Sequence, residues 1–117
     1  MNTKPNGHHV REVTGIRLER LKTLPPRLRV SVVGTVPSTG WSNPHLVPYT
    51  YVQAPPDGIY DYDFVATPPA VVMDKLITPI RVTTELLAGG VRGIRVHAAL
   101  NVREALLEPE QVPVEKV

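Results

Sequence analysis

The sequence predicts an all-β fold, an antiparallel β-sandwich of about seven strands with flexible termini. Three observations carry that expectation. Apolar and polar residues alternate with period two through several segments, as in strands with one buried and one wet face. Thirteen prolines are spread along the 117 residues; a proline inside a helix costs about 3 kcal/mol, which excludes a helical bundle. Clusters of turn formers recur roughly every 8–15 residues, the spacing of a many-stranded sandwich.

Residues 1–9 are polar, contain Pro5 and Gly7 and show no periodicity, so they read as a disordered tail. His8 and His9 lie in that tail and lack a third metal ligand. Strand signals start at Val10, with apolar and charged residues alternating through Ile16-Arg17-Leu18-Glu19. After the Pro25-Pro26 break comes the clearest strand. Leu28, Val30, Val32, Gly34 and Val36 share one face, while Arg27, Arg29, Ser31, Val33 and Thr35 share the other. Residues 37–45 form a loop of turn formers around Trp41, the single Trp. Residues 46–53 read as a strand with Tyr49 and Tyr51 on one face, and Pro48 points to an edge position.

Ala54-Pro55-Pro56-Asp57-Gly58 is a turn, because Pro pre-sets φ and Gly supplies positive φ. In Ile59–Ala66 aromatic residues at 60, 62 and 64 alternate with Asp61 and Asp63, so the aromatics are expected inward. Residues 70–77 lie between Pro69 and Pro79 and read as a strand, since that space is too short for a stable helix. Alternation returns in Ile80–Leu86 and in Ile94–Leu100, and Gly89-Gly90 between them predicts a hairpin. Asn101 and Glu104 resemble a capping box before Ala105-Leu106-Leu107. A short helical turn and a mobile tail are therefore expected over 102–117, beyond a domain spanning 10–101.

About seven strands with these turns match an immunoglobulin-like sandwich, with a small barrel as the alternative. The chain has no Cys, which excludes a disulfide framework and Cys-based zinc or iron–sulfur sites. No run of eighteen apolar residues occurs, so no membrane-spanning segment is expected. The first residues lack an apolar core, so no signal peptide is expected, and the compartment stays open between the cytoplasm and export after processing. Residues 1–29 carry seven Lys/Arg against two Glu, although the whole chain is only +2. The density of cations and interleaved aromatics that nucleic acid requires is missing, so no nucleic-acid partner is expected. Pro48 and the arginine-bearing outer faces guard the sheet edges and predict a monomer.

Two constellations stand out. The loop Pro37–Pro44 places Trp41 among Ser38, Thr39, Gly40 and Asn43, which makes these five residues the candidate binding set. Trp41 either covers the core as a lid or serves as a contact anchor, since loop Trp residues are frequent binding hot spots. Asp57, Asp61 and Asp63 form the densest acidic group. They are weak candidates for a hard cation, which wants several oxygens. The alternative is a turn-nucleating Asp57 and two exposed acids facing Arg27, Arg29, Arg81 or Arg95 across a sheet. No Gly-x-Ser-x-Gly occurs, and Ser31, Ser38 and Ser42 with His45 and His97 make no serine-hydrolase pattern. Gly89-Gly90-x-x-Gly93 is not followed by a helix, so it is no phosphate cradle. No catalytic residue and no cofactor are expected.

Val36-Pro37-Ser38-Thr39-Gly40-Trp41 resembles the Asn-Pro-Thr-Thr-Gly-aromatic loop of chagasin-type cysteine-protease inhibitors, which are immunoglobulin-like sandwiches. Leu87-Ala88-Gly89-Gly90 is similar in composition to that family's second, glycine-rich loop. Val36 stands in place of the family's Asn, and the Arg-Pro-aromatic loop has no counterpart. The resemblance implies a protease inhibitor acting through Pro37–Pro44. More broadly the chain resembles small bacterial β-sandwich proteins. The leading expectation is a non-enzymatic module that contacts another protein. The alternatives are the inhibitor and a carbohydrate- or ion-binding module using the Tyr-rich segment 49–62 with Asp57, Asp61 and Asp63.

Overall fold

The computed structural model describes residues 7–71 and 73–107. The described residues contain eight strands and no helix: β1 (His8–His9), β2 (Glu12–Leu21), β3 (Arg27–Val36), β4 (Ser42–Pro48), β5 (Ile59–Thr67), β6 (Thr78–Leu87), β7 (Gly93–His97) and β8 (Val102–Leu106). They form two sheets. The three-stranded one has the order β2-β3-β6, and the other is built around β5. At Val65 both His9 of β1 and His45 of β4 are partners, so β1 and β4 flank β5 on opposite sides. β7 continues on the side of β1 and carries β8 at its far edge. β8 lies against β2 and β4 against β6, so the sheets face each other as a sandwich.

The alternation in β3 does what the sequence asks of it. Leu28, Val30, Val32 and Val36 are at most 2% exposed and meet Phe64 and Ala66 of β5 and Ile94 and Val96 of β7. Each such side chain contributes about 1.5–3 kcal/mol by leaving water. Gly34 occupies the same inward row. A Cβ there would collide with the Glu12 carbonyl and sit 3.1 Å from the Phe64 ring, so the missing side chain lets β2 and Phe64 close over β3.

The chain passes from one sheet to the other within two residues. Val10 N–H donates to Phe64 O at 2.9 Å and Arg11 N–H to Thr35 O at 2.8 Å. The β7–β8 turn is tied to this bend. Ala99 and Leu100 N–H donate to the carbonyls of Val10 and Arg11, each at 2.9 Å. The Asn101 carboxamide accepts from Val13 N–H and donates to Val13 O, both at 2.9 Å.

The all-β sandwich agrees with the sequence, and several details differ from expectation. β5 and β7 pair in parallel, while every other described pair is antiparallel. The strands β6 and β7 do not form a hairpin. Gly89-Gly90, with Gly90 at φ 78°, turns the chain out of the β3 sheet and into the β5 sheet. Residues 73–77, and 70 and 71 before them, form no strand; they carry the chain from β5 in one sheet to β6 in the other, and Pro68 and Pro69 before them lack the N–H that a ladder needs. Residues 102–106 form β8 instead of a helical turn, because the β7 edge supplies backbone partners from Gly93 to His97. β4 starts inside the expected Trp loop and ends at Pro48, so 49–53 lie outside any strand. His8 and His9 are a short strand on β5 rather than part of a tail. The tail expected at the C-terminus falls, from residue 108 onward, outside the described residues, as do residues 1–6.

Candidate functional site

The end of the sandwich at which β3 stops carries the Trp loop. Gly40 has φ 90°, and a Cβ there would lie 2.9 Å from Met73 Cγ and 3.1 Å from Pro69 Cβ. Glycine is therefore needed both for the turn and for the close approach of the 68–77 connection. Thr39 N–H donates to Asp74 O at 3.1 Å, which pins the two segments together. Trp41 is half-buried against the core, and its Nε1–H donates to Ser38 Oγ at 3.2 Å. Ser38 Oγ donates in turn to Thr39 O at 3.0 Å.

Between the loop and the connection lies a groove of about 440 Å³, lined by Pro37, Ser38, Trp41, Pro69, Val71 and Met73 among others. Val71 is 69% exposed and Met73 40%, and Leu76 and Ile77 beside them are more than half exposed. Of the five residues expected at a binding site, Ser38 and Trp41 line the groove, and Thr39 and Gly40 fix its shape. Asn43 does not join them. It has φ 53° and sits in the irregular start of β4, where its carbonyl bonds His45 Nδ1 at 2.9 Å. The exposed apolar residues of 71–77 escaped the sequence reading because a strand there would have buried half of them.

The three acids do not converge. Asp57 accepts from Ile59 N–H at 3.0 Å and closes its own turn. Asp61 and Asp63 lie on the outer face of β5, each inside a separate set of partners. Asp61 Oδ1 meets His97 Nε2 at 2.8 Å and Arg95 Nη1 at 3.1 Å, and its Oδ2 accepts from the Tyr51 hydroxyl at 2.7 Å. Arg95 also donates to Glu104 from Nε and Nη2, at 3.1 and 2.9 Å. Asp63 Oδ1 meets His9 Nε2 at 2.9 Å and the Tyr49 hydroxyl at 3.2 Å. The Tyr49 ring stacks on His97 with centroids 5.0 Å apart. Among the described residues no three His, Asp or Glu groups are placed to share a metal ion.

The electrostatics follow from these contacts. Burial disfavours the Asp61 carboxylate, but hydrogen bonds from His97, Tyr51 and Arg95 outweigh it and hold its carboxyl below the ordinary range. Burial raises the Tyr49 and Tyr51 phenols, and the neighbouring Asp63 and Asp61 raise them further. Glu104 and Asp61 raise Arg95. Of the four arginines that the sequence offered to these acids, Arg95 is the one that arrives. Arg27 and Arg29 belong to the other sheet and pair with Glu85, and Arg29 also with Glu19. The Asp–His–Tyr–Arg face is thus a hydrogen-bonded lattice whose members satisfy one another. The groove at Trp41, by contrast, leaves apolar surface of Val71 and Met73 exposed among the described residues.

No family model, no curated protein and no solved structure matches this chain. The likeness to chagasin-type inhibitors accordingly rests on the loop residues alone.

Proposed function

We propose that this sandwich is a non-enzymatic protein–protein interaction module, immunoglobulin-like in type and monomeric, that receives a short apolar segment of another protein in the Trp41 groove. The observation that carries the reading is the exposed pair Val71 and Met73 lining the groove with half-buried Trp41, with Leu76 and Ile77 exposed further along the same connection. Contiguous exposed apolar surface of this kind marks interaction sites. A fixed Trp ring supplies contact area at little entropic cost, and Met73 adapts its shape to the ligand. Pinning of the loop through Thr39 and Gly40 keeps the groove open before the partner arrives, which lowers the ordering cost of binding.

Peptides selected from a displayed library on the wild-type protein test the proposal. Trp41 is the single Trp, so bound peptide must shift its emission. Met73→Lys and Val71→Asp alter exposed positions and leave the core intact. Each is expected to weaken selected peptides about thirtyfold or more, the effect of losing about 2 kcal/mol at a hot spot. Failure to select any peptide, or peptides that bind both variants as well as wild type, would overturn it.

A further inference from the structure

The outer face of the β2-β3-β6 sheet carries a second feature, independent of the Trp41 groove. Its cross-strand rows are set by register. Gly15, Val33 and Arg81 share one row, Arg17, Ser31 and Thr83 the next, and Glu19, Arg29 and Glu85 the one after. In the last row the charges cancel: Arg29 pairs with Glu19 and Glu85, and Arg27 adds a contact to Glu85. At the other end of the sheet Glu12 is held by Arg11 at 3.1 Å. Arg17 and Arg81 are exposed and have no ion-pair partner among the described residues.

These two cations flank a depression of about 380 Å³ whose floor is Gly15, Val33, Ser31 and Thr83. Three details shape it. Gly15 follows the bulge in β2, and a Cβ there would meet nothing within 4 Å, so the absent side chain opens the floor. The Ser31 and Thr83 hydroxyls bond each other at 3.2 Å. One hydroxyl proton serves that bond, which leaves the other free to donate outward. Arg17 and Arg81 sit on strands two spacings apart, about 10 Å across, and one row apart along the sheet, so their side chains can close on one small ligand from opposite sides. Guanidinium groups offer paired N–H donors that match the oxygens of phosphate and sulfate.

We propose that this depression binds a tetrahedral oxyanion, phosphate or sulfate, free or as a monoester, between Arg17 and Arg81 over the Ser31–Thr83 hydroxyls. The charge balance favours it: the nearby acids among the described residues are already neutralised by other arginines, so an incoming dianion meets there two uncompensated cations and no competing described carboxylate. The same argument leaves a flat apolar or cationic ligand without a counterpart there.

Amide and arginine Nε–H NMR shifts followed during titration with inorganic phosphate, with sodium chloride holding ionic strength constant, test the site. Saturable shifts at Ser31, Thr83, Arg17 and Arg81, with weaker or absent response at exposed Arg92 and Arg103, are expected. Arg17→Gln and Arg81→Gln should each weaken binding at least fivefold. Gly15→Leu fills the floor without touching a charge and should abolish binding while the melting temperature holds. Parallel titrations with sulfate and with phosphoserine distinguish the sources: tighter binding of phosphoserine than of inorganic phosphate assigns the site to a monoester, and equal or weaker binding assigns it to the free ion. Shifts that do not saturate, that appear equally at Arg92 and Arg103, or that survive Gly15→Leu would refute the site.

Discussion

Asn101→Ala should destabilise the protein by about 2–4 kcal/mol although it removes no core side chain. The Asn101 carboxamide closes two hydrogen bonds of 2.9 Å with the N–H and the carbonyl of Val13. Val13 is fully buried, so both backbone groups depend on that partner. An orphaned buried backbone group costs about 1–3 kcal/mol, so two left dry would cost about 2–6 kcal/mol. Asn101 itself is half-buried, so water entering the vacated space recovers a fraction and brings the expected loss to about 2–4 kcal/mol. Urea denaturation at neutral pH measures the loss, and amide exchange supplies the local readout. The Val13 amide, protected in the wild type, should exchange far faster in the variant than the amides of Val30 and Val32. A variant within 0.5 kcal/mol of wild type, or one whose Val13 amide keeps its protection, would refute the view that this side chain replaces a sheet partner.

Two further outcomes follow from the core and the acidic face. Phe64→Ala empties the largest fully buried position and should cost about 3–5 kcal/mol in the same denaturation assay; a loss under 1 kcal/mol would mean that the two sheets are not packed through this ring. Asp61→Asn should flatten the dependence of melting temperature on acid pH. The folded Asp61 carboxyl is held low by His97, Tyr51 and Arg95 despite its burial. Its contribution is therefore complete above the unfolded value near 3.9 and disappears as pH falls through the lower folded value. Wild-type and variant curves that run parallel between pH 5 and pH 2 would contradict this.

The individual strands were largely legible in the sequence, and their partnerships were not. β3 declares itself by Leu28, Val30, Val32 and Val36 alone, because one strand buried on a single face imposes strict alternation. β6 and β7 alternate just as clearly, yet nothing local says which sheet each joins. Gly89-Gly90 would serve a hairpin and a crossover equally well. β8 shows propensity losing to pairing: Glu104, Ala105 and Leu106 favour helix, but an open edge on β7 satisfies their backbone groups and Arg95 engages Glu104. The Asp61 lattice was beyond reach for the same reason. Its Arg95 and His97 partners are 34 and 36 residues away and come alongside only through a parallel pairing. The Trp41 loop could be picked out by its composition. Its groove could not, since the opposing wall is a connection that resembled a strand.

The parallel β5–β7 pair also makes one edge of β5 depend on a distant part of the chain. After β5 the chain crosses to lay β6 against β3 and then returns with β7. Parallel neighbours always demand such a crossover, so Ile59–Asp63 are covered by residues 34 positions further along. Wherever β7 is displaced, that stretch of β5 is an open strand edge, the kind that captures other chains. Asp61 and Asp63 lie on that strand, and Arg95 and His97 leave together with β7. The acids of the hydrogen-bonded lattice are therefore also the residues placed to discourage intermolecular pairing there, since acidic side chains on an unpaired edge oppose it.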